Sequence, residues 1–371
     1  MKVVIIIPTY NEKQNIGSTI DNLEKNFKLI KNHQMQILVI DDSSPDGTQD
    51  IVKEKKAKYG NIILFPNQVK AGLGAAYIKA MKYAMTKLEA DAIFEYDADG
   101  SHQPKYIPGM VETLAKGADV VVGSRYVPGG SMPDDWGFDR KLVSFFGNLI
   151  ARSVLWTWQY KDQTSGFRGT KTEFLKKVDL DNLLSKQFAY KIHLYYALHK
   201  LGAKIKEYPI DFIDRSVGKS KFPKNNVKDS LRVVFTLRYR ENEKLFKVAI
   251  VGGIGTIVQI LFLNILRSFY GLSIAQNIAI ELAIVSNFIL NNVWTFKDQQ
   301  FNFKSLKNLL LGFAKFNLTS VGSIIIQNLV LLGGVALLGR SFLIENGLVI
   351  TGILIGLIWN YLMYTRVVWK K

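Results

Sequence analysis

The 371-residue chain contains no cysteine, only four histidines and only nine prolines. Without thiols there is no disulfide framework, and the composition fits a reducing compartment. Two phosphate-binding signatures are absent as well. "GLGAAY" (72–77) is glycine-containing but lacks G-x-G-x-x-G, and no G-x-x-x-x-G-K-[ST] occurs, so neither a dinucleotide fingerprint nor a P-loop is expected. The opening "MKVVIIIPTY" has a brief apolar run halted by Pro8, so it is not expected to act as a secretory signal. Acidic charge is scarce, with 31 Asp and Glu against 48 Lys and Arg and a net charge of +17. Such an excess can mark a nucleic-acid binder. Here it accompanies apolar runs of spanning length, so an anionic membrane surface, and no nucleic acid, is the expected partner.

The scarcity is local. From Leu245 onward the chain carries ten Lys or Arg and three Asp or Glu. Apolar runs recur there at 248–266, 274–294, 316–339 and 348–365, each near the roughly 20 residues that cross a bilayer. They predict four membrane spans. Lys297, Lys304, Lys307 and Lys315 fall between the second and third, and Arg366, Lys370 and Lys371 follow the fourth; the other two loops offer little beyond Arg267 and Arg340. By the positive-inside rule both termini and everything before the first span face the cytoplasm. "KVAIVGGIGTIVQ" (247–259) is echoed by "KFNLTSVGSIIIQ" (315–327), which predicts two similar helical hairpins. Glu281, Asn287 and Asn291 are costly in lipid and are expected to face protein or headgroups.

Before Leu245 the pattern changes to strands separated by helices of about 10 to 18 residues, which implies a mostly parallel sheet with helices on both faces. Ligands in such sheets bind at the carboxyl ends of strands. The acidic residues sit there: Asp41 and Asp42 end "QILVIDD", and Asp97 and Asp99 end "AIFEYDAD". In an extended strand residues two apart share a face, so Asp97 and Asp99 are expected side by side. Such a pair calls for a hard metal ion or a basic side chain. A metal-bridged nucleotide diphosphate suits it.

"IIIPTYNEKQNI", "VIDDSSPDGT", "GLGAAY", "YDADGSHQP" and "VGSRY", in this order, together resemble the polyprenyl-phosphate sugar synthases of glycosyltransferase family 2, dolichol-phosphate mannose synthases above all. The resemblance covers about residues 3–221. It implies a GT-A (Rossmann-like) nucleotide-sugar domain, a nucleotide-sugar donor and a polyprenyl or dolichyl phosphate acceptor. It also implies that Pro8, Tyr10, Glu12, Asp42 and Asp97 hold the nucleotide, and that Asp97 and Asp99 carry Mg²⁺ or Mn²⁺. The last part of the chain is similar to the four-helix GtrA-like membrane family. The expected organisation is an α/β catalytic domain over 1–222, an interfacial segment over 223–244 and an all-α four-span domain over 245–371; a homo-oligomer is left open.

Chemistry narrows the remaining roles. A phosphate monoester is already an anion at neutral pH, so the acceptor needs no general base. It needs cations. Arg125, Arg140, Arg168, Arg215, Ser220 and Lys221 are the candidates, the last three because "FIDRSVGKSK" resembles the family's acceptor loop; Asp99, Arg125 and Arg215 are expected to be catalytic. Direct displacement with inversion follows. Relatives often have Gln where Ser101 stands and Glu where His193 stands, which leaves the metal shell and the donor less defined. The favoured donor is GDP-mannose, with UDP-glucose the nearest rival. A processive polysaccharide synthase lacks its Q-x-x-R-W here, and a flippase or scaffold for lipid-linked sugars is the non-enzymatic alternative. "RKLVSFFGNLIARSVLWTW" places Leu142, Phe145, Phe146, Leu149 and Ile150 at helical spacing and reads as an amphipathic helix at the membrane surface.

Overall fold

In a computed structural model describing residues 1–68, 70–133, 136–213, 225–302, 305–339 and 341–370, the chain divides into two units, Met1–Arg238 and Tyr239–Lys371. The first is built on seven strands: β1 Lys2–Thr9, β2 Gln34–Asp41, β3 Ile62–Pro66, β4 Ala92–Glu95, β5 Val120–Ser124, β6 Arg168–Lys171 and β7 Ile205–Pro209. Their order is β3-β2-β1-β4-β6-β5-β7. Neighbours run parallel except at β6, which is antiparallel to both β4 and β5. The sheet is thus mostly parallel, as expected, with β6 as its antiparallel member. β6 reads "RGTK" and has no apolar run to announce it.

Eight α-helices lie among the described residues up to Glu241: α1 Lys13–Phe27, α2 Thr48–Tyr59, α3 Leu73–Thr86, α4 Ile107–Ala115, α5 Phe138–Leu155, α6 Thr172–Leu175, α7 Tyr190–Lys200 and α8 Asn225–Glu241. The near-continuous apolar run of β1 is what burial on both faces requires. Val3, Ile5 and Ile7 pack with Ile16, Ile20 and Leu23 of α1 and Met110 of α4, while Val4 and Ile6 pack with Ala80 of α3 and Leu194 of α7. Pairing of Thr9 with Asp41 and of Ile6 with Glu95 brings the strand ends to one edge. Strand order reverses between β1 and β4, which opens the crevice where such sheets bind ligands.

The second unit holds α9 Glu243–Leu266, α10 Leu272–Leu290, α11 Leu306–Leu338 and α12 Phe342–Met363. Four helices here, with the turns that extend α10 and α12, are long and apolar enough to cross a membrane, and they make this an integral membrane protein. Lys307 and Lys315, expected in a loop, lie within α11, whose 33 residues extend about 50 Å and so outrun the hydrocarbon layer. Asn291 is buried and Asn287 half-buried, but Glu281 is exposed on α10. The reason is register: Ala275, Ala279 and Ala283 occupy the buried face, as small residues do where helices approach closely, and Glu281 falls between them on the other side.

One buried cation ties the centre of the first unit together. Arg168 opens β6 and is fully buried. Its Nε donates to Ser165 O at 3.0 Å, Nη2 to Gln163 O at 2.9 Å and Nη1 to Lys191 O at 2.7 Å, and its guanidinium lies 4.9 Å from the Tyr195 ring centroid. The fork thus joins the loop before β6 to the start of α7. Arg168→Met removes three donors from buried carbonyls, each worth about 1 to 3 kcal/mol when left unmade. The expected loss is about 3 kcal/mol or more, read as a lower thermal unfolding midpoint in detergent against an unchanged midpoint for the exposed control Lys116→Met.

Candidate active site

The loops after β1 and β2 line one side of the crevice. Asn11 and Ser43 both have φ of +56°, a left-handed conformation uncommon outside glycine, and each turns the chain just past a strand end. Asp41 is fully buried. It accepts from Thr9 Oγ1 at 2.8 Å, Ser44 Oγ at 2.6 Å, Ser44 N at 2.9 Å and Gln49 Nε2 at 2.7 Å, so it is spent on the framework. Asp42, just past the end of β2, is half-buried. Asn67 Nδ2 donates to it at 2.6 Å, and Lys79 Nζ donates to Asn67 Oδ1 at 2.6 Å; burial raises its pKa from the usual carboxylate value. Pro8 is half-buried in β1 opposite Ile40. Tyr10 presents its ring to Lys70 Nζ, 3.2 Å from the centroid, and Glu12 occupies the N-cap position of α1 without a side-chain capping bond while its N–H donates to Thr48 Oγ1 at 3.0 Å.

Asp97 and Asp99 depart from the expected strand geometry. β4 ends at Glu95, so both lie in the turn that follows, and no strand pleat aligns them. The turn is held instead by Thr19 of α1, which donates to Ala98 O at 2.9 Å, and by Ser101 N, which donates to Asp99 Oδ1 at 3.1 Å. Gly100 takes φ of +80°, which favours glycine. Asp97 is surrounded from behind. Tyr77 O–H donates to its Oδ1 at 3.0 Å, Lys191 Nζ stands 4.0 Å from Oδ1 and His102 Nε2 3.7 Å from Oδ2. His102 Nδ1 accepts from Asp97 N–H at 3.1 Å. Burial lowers the pKa of His102, so the ring is neutral and carries its proton on Nε2, toward the carboxylate.

Among the described residues no group of three or more His, Cys, Asp or Glu side chains could hold a metal. Two partly exposed carboxylates in one turn do fit a hard cation that keeps most of its oxygen ligands from a diphosphate and water.

The basic candidates separate into two kinds. Arg125, just past β5, is nearly buried; its Nε and Nη2 donate to Asp162 at 2.7 and 2.8 Å, and Nη2 reaches Thr164 Oγ1 at 2.9 Å. Burial would raise the Asp162 carboxyl, but Arg125 brings it below the usual range. Arg140, at the start of α5, lies over the Trp136 ring at 3.9 Å. The two share an aromatic floor: Trp136 packs on Phe212 at 5.6 Å, and Phe212 lies 5.5 Å from Arg125 and 6.1 Å from His102. Asp211 beside it accepts from Tyr106 O–H at 2.7 Å and Ser131 Oγ at 2.8 Å. Arg215, Ser220 and Lys221 lie outside the described residues. Arg168 is corrected from acceptor candidate to framework residue, because its donors are spent on buried carbonyls. His193 is half-buried, and its Nδ1 accepts from Leu184 N–H at 3.0 Å.

α5 turns Asn148, Ala151 and Leu155 inward and leaves Phe138, Val143, Phe145 and Phe146 at least half exposed. Trp156 is 71% exposed beyond its end.

Sequence reasoning passed over Tyr77, His102, Asn67, Asp162 and Lys191. Tyr77 and His102 stand inside "GLGAAY" and "YDADGSHQP", so a signal was present. Asp162 and Lys191 come from stretches whose place beside β5 and β4 only the fold decides.

The glycosyl transferase family 2 model matches residues 4–179, and the GtrA/DPMS transmembrane domain matches residues 247–369. A dolichol-phosphate mannosyltransferase of Pyrococcus furiosus is 31% identical over 376 residues, covering 100% of this chain and 99% of that one. An undecaprenyl-phosphate mannosyltransferase of Micrococcus luteus is 37% identical over 221 residues, 60% of this chain and 87% of its own. Among solved structures, glucosyl-3-phosphoglycerate synthase of Mycobacterium tuberculosis with Mn²⁺ and UDP-glucose has a TM-score of 0.46 at 19% identity, over 64% of this chain and 78% of that one. Aligned from end to end with a dolichol-phosphate mannosyltransferase, and with both of its parts matched in the same order, the chain belongs to the polyprenyl/dolichol-phosphate mannosyltransferase-like glycosyltransferases of family 2 that carry a GtrA/DPMS transmembrane domain.

Proposed function

We propose that the protein transfers mannose from GDP-mannose to a polyprenyl or dolichyl phosphate at the cytoplasmic membrane face, with inversion at the sugar. The observation that carries this reading is the end-to-end likeness to a dolichol-phosphate mannosyltransferase. The site geometry supports it. Asp42, Tyr10, Glu12 and Pro8 would receive the nucleotide at the β1 and β2 ends, with Asp97 at its diphosphate. Asp97 and Asp99 would hold Mg²⁺ or Mn²⁺, which when bound supplies positive charge to the departing diphosphate.

The remaining roles fall to the basic side chains. Arg125, aimed by Asp162, and Arg140, resting on Trp136, would hold the acceptor phosphate together with Arg215, Ser220 and Lys221, the last three on resemblance alone. A phosphate oxygen attacks the anomeric carbon as the bond to the nucleoside diphosphate breaks on the opposite side; no proton has to be removed. Residues 1–222 are assigned catalysis, 223–244 and the apolar face of α5 attachment to headgroups, and 245–371 the membrane anchor.

Three measurements test this. Asp99→Asn is expected to lower transfer to a short polyprenyl phosphate by about a hundredfold or more, with the thermal midpoint kept; transfer from UDP-glucose in place of GDP-mannose would rename the donor. Absence of transfer from either by the folded wild type would favour the flippase or scaffold alternative. Arg125→Lys keeps the charge but loses the two-point pairing with Asp162, so KM for the lipid phosphate should rise about tenfold while KM for the donor stays. The missing cysteines make orientation directly measurable. Gln299→Cys, between α10 and α11, should react with an impermeant maleimide only from the cytoplasmic side, and Ser268→Cys, between α9 and α10, only from the other; the reverse pattern would invert the topology.

A further inference from the structure

Lys191 is fully buried, and its Nζ has no hydrogen-bond partner among the described residues. An ammonium taken out of water without partners is expensive, and packing alone does not explain why a lysine is kept there. Its surroundings are specific. Asp97 Oδ1 lies at 4.0 Å, too far for a hydrogen bond. The rings of Tyr77 and Phe188 each stand 5.3 Å from Nζ. Gly166 leaves the space open, because a Cβ built there would collide with Nζ. The backbone around it is pinned, since Lys191 O takes a donor from Arg168. Every contact therefore holds one positive charge behind one of the two aspartates at the diphosphate end of the site.

We propose that Lys191 is a positioning residue for the donor, a fixed cation that acts through Asp97 to attract an anionic diphosphate and to weaken the hold of the two aspartates on a divalent cation. This rests on the donor reading above. A point charge inside protein acts on both neighbours without touching either, because the surroundings screen it less than water does. The diphosphate gains from it and the metal ion loses. The bound nucleotide is then held partly by the chain itself, and the metal ion is held chiefly when a diphosphate is present to share it.

Those opposed signs make the test. Binding of GDP by calorimetry in chelator, and binding of Mn²⁺ alone by electron paramagnetic resonance, would be compared for the full chain in detergent and for Lys191→Met. The variant should bind GDP about tenfold more weakly in chelator and nucleotide-free Mn²⁺ about tenfold more tightly. A merely structural role would weaken both. If the Met variant unfolds, Lys191→Gln carries the same test, because it keeps a polar group and loses only the charge. Shifts of equal sign, or none, with GDP bound normally by the wild type, would overturn the role of Lys191 alone. Failure of the wild type to bind GDP or UDP even with Mn²⁺ would overturn the donor reading and this inference together.

Discussion

A guanidinium removed entirely from water has to be answered hydrogen bond by hydrogen bond, and the centre of the catalytic unit is arranged around that requirement at Arg168. Its three bonds to Gln163, Ser165 and Lys191 carbonyls fix the loop before β6 and the first turn of α7 in one relation. From that relation two consequences follow. Asp162, one residue before the tied segment, meets Arg125 at the end of β5; the side chain of Lys191 meets Asp97 beyond β4. The two ends of the site are thus set by one framework cation that touches neither.

The same insertion accounts for the mixed sheet. β6 enters between β4 and β5 in the antiparallel sense, and Gly169 within it lies where a Cβ would run into the Phe94 ring. A parallel strand needs a crossover to return, whereas an antiparallel one can enter directly from the loop that carries Asp162. The reversal between β1 and β4 stays open as a crevice, and α1 reaches across it through Thr19 to hold the turn of the two aspartates.

Charge in the site is unequally committed. Asp41 and Arg168 are committed to neighbours within the fold and serve geometry. Arg125 is held by a carboxylate that orients it, and Arg140 by an indole beneath it. Asp42 is supported through Asn67 and Lys79. Asp42 and Asp97 are each backed by a side chain from elsewhere in the fold, Asn67 and Tyr77, as preorganised electrostatic sites require.

The four apolar helices, the alternation of strands and helices and the mostly parallel α/β sheet were all legible in the residues. These depend on local periodicity, on apolar run length and on short motifs whose geometry travels with them. Four matters were settled only by tertiary structure: the antiparallel β6, the framework role of Arg168, the exposure of Glu281 and the pairing of Asp97 with Lys191. A buried arginine and a surface arginine have the same neighbours in sequence, and a helix register decides which face a glutamate takes. Contacts between residues about ninety positions apart come from strand order, and strand order is a property of the whole sheet.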